Sequence, residues 1–206
     1  MTVSLRRETL RKALIDAAEA GISARGLAAL KARDLAREAG CALGAIYTVF
    51  PDLAALAVAV NSRTFRLLDA TLREAAEAAM AAGGTPRAAA NRVLIALAAG
   101  YLDFAAGHLA RWRALFEFRM PEGQDMPQWH LDEQAALFGH LERPLAVLQP
   151  GLSGEERALL ARSLFSAAHG MVLLGLEGKI VSLPLPYLRQ QVTMVVAAMG
   201  RGLESA

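Results

Sequence analysis

Residues 31–50, KARDLAREAGCALGAIYTVF, gather two short apolar-striped stretches on either side of Gly40. Ala32, Leu35, Ala36 and Ala39 recur at helical spacing on one face, with Arg33, Arg37 and Glu38 elsewhere. Gly40 follows the last of them, where a helix ends in left-handed backbone that glycine adopts without strain. A second helix is expected over 42–50. Its inward face carries Ile46, Val49 and Phe50, and its other face carries Leu43, Gly44, Tyr47 and Thr48. Phe50-Pro51 ends it, because the residue before proline is pushed out of helical geometry. Two short helices joined by a glycine turn of about four residues make the helix-turn-helix pattern, whose second helix enters a DNA major groove.

The preceding stretch supports that reading. A first helix is expected over about 6–24, with Leu10, Leu14, Ala17, Ala18 and Gly21 inward and Gly26 closing it. Arg6, Arg7, Arg11 and Lys12 crowd its start, where positive charge opposes the helix dipole. They are therefore not placed for helix stability, and phosphate contact is the better reading beside a helix-turn-helix. Residues 1–50 hold eight bases and five acids, a local +3 within a chain of net charge +2. A basic N-terminal unit on a near-neutral body suits binding to phosphate.

These residues resemble the tetracycline-repressor (TetR) family of bacterial transcription regulators. The likeness rests on RRETLRKALIDAAEAGISARG, Asp34-Leu35-Ala36, Ala39-Gly40, Gly44 and above all Ile46-Tyr47-x-x-Phe50-Pro51-x-x-x-x-Leu56. It is specific over roughly residues 6–60. Beyond them only the helical layout is shared.

That layout is all-α. Asp52 can cap a helix reaching about residue 82, roughly 45 Å long at the helical rise, before Gly83-Gly84. Thr85-Pro86 restarts the chain, with threonine at the cap and proline at the first helical position. Further helices are expected over 85–106, 108–118, 128–148, 153–178 and 187–202, with a polar loop at 120–127, a capping box at Ser153–Glu156 and a connector at 182–186. The count is about nine: three in an N-terminal helix-turn-helix head (1–60) and six in a C-terminal body (61–206). Hydrophobic residues are 54% of the chain and charged residues 20%, so it can bury a core. No apolar run looks long enough to span a bilayer, and the single cysteine, Cys41, excludes an internal disulfide and fits a reducing cytoplasm.

No glycine-rich phosphate loop or nucleophile elbow is present. His130 and His140 lack the i, i+4 spacing of paired ligands, and Cys41 has no metal-spaced partner. No enzyme activity, cofactor or metal site is expected.

The resemblance implies a homodimeric, ligand-responsive repressor of a palindromic operator in double-stranded DNA, acting in the cytoplasm without a membrane. Its DNA contacts would come from Lys31, Arg33, Ala42, Leu43, Gly44, Tyr47 and Thr48. A small hydrophobic effector would bind in the body, and Trp112, Phe116, Trp129, Phe138 and His169 are the candidate walls. The apolar helices over 153–178 and 187–202 suit a two-fold interface, with Val192, Val195, Val196 and Met199 as a stripe on the last. The motif also departs from the family pattern. Ala42 stands where a capping serine or threonine is usual, Lys31 at a usual polar cap, Val49 for a common histidine or tyrosine, and Leu53-Ala54 for a common Lys-Glu. The alternative is therefore an all-α small-molecule-binding or interaction protein that has lost specific DNA recognition.

Overall fold

A computed structural model describes residues 3–178 and 183–205. Ser182, within the expected connector, lies outside the described residues. Among the described residues there are eight α-helices, two 3₁₀ segments and no strand. The helices are α1 (Val3–Arg25), α2 (Ala32–Glu38), α3 (Leu53–Ala81), α4 (Pro86–Gly107), α5 (Leu109–Glu117), α6 (Gln128–Leu148), α7 (Gly154–Glu177) and α8 (Leu185–Ser205). The expected helices thus appear in their expected order. A 3₁₀ turn at Leu27–Ala29 is added, and the stretch after Gly40 winds as 3₁₀ over Leu43–Thr48 rather than as an α-helix.

The chain forms two compact units. One holds the described residues up to Arg66 together with His108–Leu131, and the other holds Leu67–Gly107 and the described residues from Asp132 on. Residues 108–131, assigned to the body by chain order, thus pack with the N-terminal helices. The physical reason is apolar burial: Ala114 on α5 is 1% exposed and belongs to the same core as α1, α2 and the first turns of α3.

In the first unit that core is Leu14, Ile15, Ala18 and Ile22 of α1, Leu35 and Ala36 of α2, Ile46 and Phe50, and Leu56, Ala59 and Val60 of α3. Each large side chain fully buried contributes about 1.5–3 kcal/mol of transfer free energy. The seven residues of α2 are too few to form a stable helix alone, so this packing holds it. Its end is set locally. Gly40 has φ +67°, the Cys41 N–H donates to the Ala36 carbonyl (2.9 Å), and the Gly40 N–H donates to the Arg37 carbonyl (3.3 Å). Those two bonds are the Schellman closure.

The 3₁₀ winding of Leu43–Thr48 also has a local cause. Only six of the ten residues between the left-handed Gly40 and Pro51 wind as a helix, too few turns for α-helix propagation. The Ala45 N–H donates to the Ala42 carbonyl (2.9 Å), the Val49 N–H donates to the Ile46 carbonyl (3.0 Å), and the Thr48 hydroxyl donates to the Ala45 carbonyl (2.7 Å).

Capping follows the sequence. Asp52 Oδ1 accepts from the Ala55 N–H (2.7 Å) at the start of α3, and Thr85 Oγ1 accepts from the Ala88 N–H (3.3 Å) at the start of α4. Ser153 and Glu156 form a complete capping box on α7. The Ser153 backbone N–H, followed by its hydroxyl, holds the Glu156 carboxyl below its usual pKa.

In the second unit α8 packs against α4 and α7. Glycines permit the close approach. A Cβ added at Gly175 would lie 2.6 Å from Leu188, and one at Gly200 would collide with Asn91 Oδ1. Two helices are long and apolar enough by length and composition to cross a bilayer, contrary to the sequence expectation. They are α4, with mean hydropathy 1.2 and 56% of its apolar window buried, and α7, with mean hydropathy 1.5 and 11% buried. α4 is a core helix of its unit, whereas most apolar residues of α7 are only half-buried and Leu159 and Leu174 are exposed.

Candidate nucleic-acid interface and body cluster

The stretch 43–50 has two distinct faces. Ile46 is 0% and Phe50 4% exposed, and Val49 packs beside them on the core. Leu43 is 45% and Tyr47 51% exposed, and Ala42, Gly44 and Thr48 are exposed with them. Lys31 and Arg33, at the start of α2, are also exposed, and neither forms an ion pair among the described residues. The seven residues proposed for DNA contact are therefore all at the surface of one unit. Lys31 and Arg37 line a shallow recess of about 340 Å³ with Arg25, Asp34 and Glu38. The recess is of mixed charge, and Arg37 is already held by Asp34 at 3.0 Å. Neither Lys31 nor Ala42 supplies a side-chain cap to the helix it precedes.

The Arg11 guanidinium sits 5.4 Å over the Phe50 ring, which ties α1 to the end of the exposed stretch. Leu53, where the family pattern has lysine, packs partly buried against the core.

A charged network braces the same unit. Arg63 on α3 bonds Asp16 (2.6 Å) and Glu19 (2.8 Å) of α1, and Arg111 on α5 bonds Glu19 (2.7 Å). Arg111 also donates to Thr64 Oγ1 at 3.2 Å through both Nε and Nη2. Hydrogen bonds from Lys12 and Arg63 hold the Asp16 carboxyl below the usual carboxylate range.

The candidate effector walls divide between the two units. Trp112 is fully buried and meets Phe116 edge-on at 5.5 Å in the first unit. Trp129, in that unit too, is 47% exposed and edge-on to His130. Phe138 and His169 lie in the second unit, where Phe165 joins them. Phe138 meets Phe165 edge-on (5.5 Å), and Phe165 stacks on His169 (5.3 Å, 25°). The Tyr101 hydroxyl lies 2.7 Å from His169 Nδ1. Desolvation lowers the His169 pKa, which favours the neutral ring. A neutral ring whose Nδ1 accepts from tyrosine carries its proton on Nε2. Tyr101 was absent from the sequence candidates because it stands 68 residues from His169, and no local pattern links them.

The two halves of this arrangement have named counterparts. The family model "Bacterial regulatory proteins, tetR family" matches residues 14–60, and "Tetracyclin repressor-like, C-terminal domain" matches 94–199. The chain belongs to the TetR family. It is thus a transcription regulator with a helix-turn-helix DNA-binding head and a C-terminal ligand-binding domain.

Solved structures share the fold of this TetR-family chain at low identity. A protein of unknown function from Rhodococcus sp. RHA1 aligns over 92% of this chain and 94% of its own, at 24% identity and TM-score 0.71. The transcriptional regulator FadR from Bacillus subtilis, solved in complex with stearoyl-CoA, aligns over 91% and 97%, at 17% identity and TM-score 0.67. A TetR-like transcriptional regulator from Rhodococcus sp. RHA1 aligns over 98% of both chains, at 18% identity and TM-score 0.54. No protein of curated function matches the chain.

Proposed function

We propose that this TetR-family regulator is a homodimeric repressor that a small hydrophobic effector releases from a palindromic operator. The observation that carries the reading is the division of residues 43–50 into a buried Ile46–Phe50 side and an exposed Leu43–Tyr47–Thr48 side. A short rigid segment with its apolar side anchored presents the other side at fixed orientation, which is what groove reading requires. Leu43 suits a thymine methyl, Tyr47 and Thr48 suit base edges or backbone, and Lys31 and Arg33 suit phosphate. DNA binding is assigned to the helices up to residue 60, and effector binding and dimerisation to the helices beyond, in the cytoplasm.

The uncovered apolar surface of α7, with Leu159 59% and Leu174 41% exposed, supports a two-fold interface. Met194 of α8, 53% exposed, extends it, while Val192 and Val196 are buried within their own unit. The Tyr101–His169–Phe165–Phe138 cluster supports an effector site among α4, α6 and α7, with apolar rings around one polar pair. Stearoyl-CoA on the Bacillus subtilis relative accords with a hydrophobic ligand in this fold. Effector binding would favour a head spacing that no longer fits the operator.

The deciding experiment is an electrophoretic shift with the DNA upstream of the chain's own gene. A discrete complex that survives excess random DNA is expected. Equal affinity for upstream and random DNA would favour the interaction protein without specific DNA recognition.

A further inference from the structure

The bases of the N-terminal unit differ in what holds them. Lys12, Arg37, Arg63 and Arg111 each meet a carboxylate within 2.6–3.0 Å. Arg11 does not. Among the described residues it forms no ion pair or hydrogen bond, and its guanidinium carbon lies 5.4 Å over the Phe50 ring. Phe50 is 4% exposed while Arg11 is exposed, so the guanidinium roofs the ring from the solvent side.

This contact leaves a specific capacity open. An aromatic ring attracts the cation through its quadrupole and leaves its charge in place, and the guanidinium carries five N–H donors. The ring therefore seats the guanidinium beside Phe50 without a carboxylate to neutralise its charge. A planar fork held in place, charged and unneutralised is suited to a bidentate oxyanion. Its seat is two residues past the exposed Leu43–Thr48 stretch.

We propose that Arg11 is a DNA-phosphate ligand preset by Phe50, so that α1 and the reading segment grip the duplex as one body. The inference rests on the DNA-binding reading above and deepens it. Phe50 acts as the positioning residue and Arg11 as the ligand.

The test is a salt titration of binding to a fluorescein-labelled random-sequence duplex, because a phosphate contact does not depend on sequence. Wild type, Arg11→Met and Arg11→Lys are compared, with a melting curve for each. Methionine keeps an apolar cover on the ring and removes the charge, while lysine keeps the charge and loses the flat fork. The slope of log affinity against log salt should fall by roughly 0.9 per bound head in Arg11→Met. It should keep its wild-type value in Arg11→Lys, with affinity reduced several-fold. Equal slopes in all three proteins, or a slope lost equally in both variants, would overturn the role of Arg11. Wild-type protein that binds no duplex at low salt would overturn the DNA-binding reading itself, a separate outcome.

Discussion

Glu19 of α1 and Arg111 of α5 form a 2.7 Å ion pair in which the arginine side chain is only 11% exposed. Glu19 serves two cations, since Arg63 holds its other oxygen at 2.8 Å. Replacing Glu19 by glutamine leaves both guanidinium groups without that countercharge. The first unit should lose about 1.5–3 kcal/mol, the range for charge-assisted hydrogen bonds. Chemical denaturation measures it. Glu19→Gln combined with Arg111→Met should cost less than the two single losses added, because they remove one shared interaction.

Tyr47 and Phe50 should respond oppositely. Tyr47→Ala removes a side chain that is 51% exposed, so operator affinity should fall while the melting temperature stays nearly constant. Phe50→Ala empties a site in the core and should cost about 3–5 kcal/mol of stability. Denaturation of both variants, paired with DNA titrations, separates the faces. Equal destabilisation would show that the exposed side of this segment also supports the fold.

The interface reading predicts charge sensitivity at Leu174 and Met194, which are 41% and 53% exposed in a single chain. Leu174→Glu with Met194→Glu should yield a folded monomer by light scattering, with unchanged helical circular dichroism. Neither side chain is buried within its own unit, so the fold should tolerate the change. Dimers that persist in the double variant would place the interface elsewhere.

The body should be acid-sensitive through His169. Burial lowers its folded-state pKa, whereas the unfolded residue titrates near 6.5. Above that value neither state is protonated and no stability is lost. As pH falls below it, the unfolded chain takes up a proton that the folded state resists, so stability declines towards the lower folded pKa. Thermal melts from about pH 7 down to about pH 5 should show a steeper loss for wild type than for His169→Gln. Parallel curves would exclude His169 as the source.

What the sequence determined by itself was local or periodic. Gly40 as a left-handed stop, the capping box at Ser153–Glu156 and the caps at Asp52 and Thr85 each depend on neighbours within a few residues. The all-α architecture and the opposed faces of residues 43–50 followed from helical spacing, and the resemblance over residues 6–60 pointed to the family. Spacing alone did not separate 3₁₀ from α winding at Leu43–Thr48, because both put Ile46 and Val49 on much the same side. Ile15 and Ile22 also escaped the inner stripe of α1 yet are 4% and 0% exposed, because α3 and α5 widen the buried arc beyond one narrow face. Tertiary structure alone decided the rest. It placed residues 108–131 with the N-terminal unit, buried Val192 and Val196 while leaving Met194 outside, and brought Arg11 to Phe50, Glu19 to Arg111 and Tyr101 to His169. Each of those pairs joins side chains far apart along the chain. Their meeting depends on how helices pack, which is the sum of many weak burials and is written in no single stretch of residues.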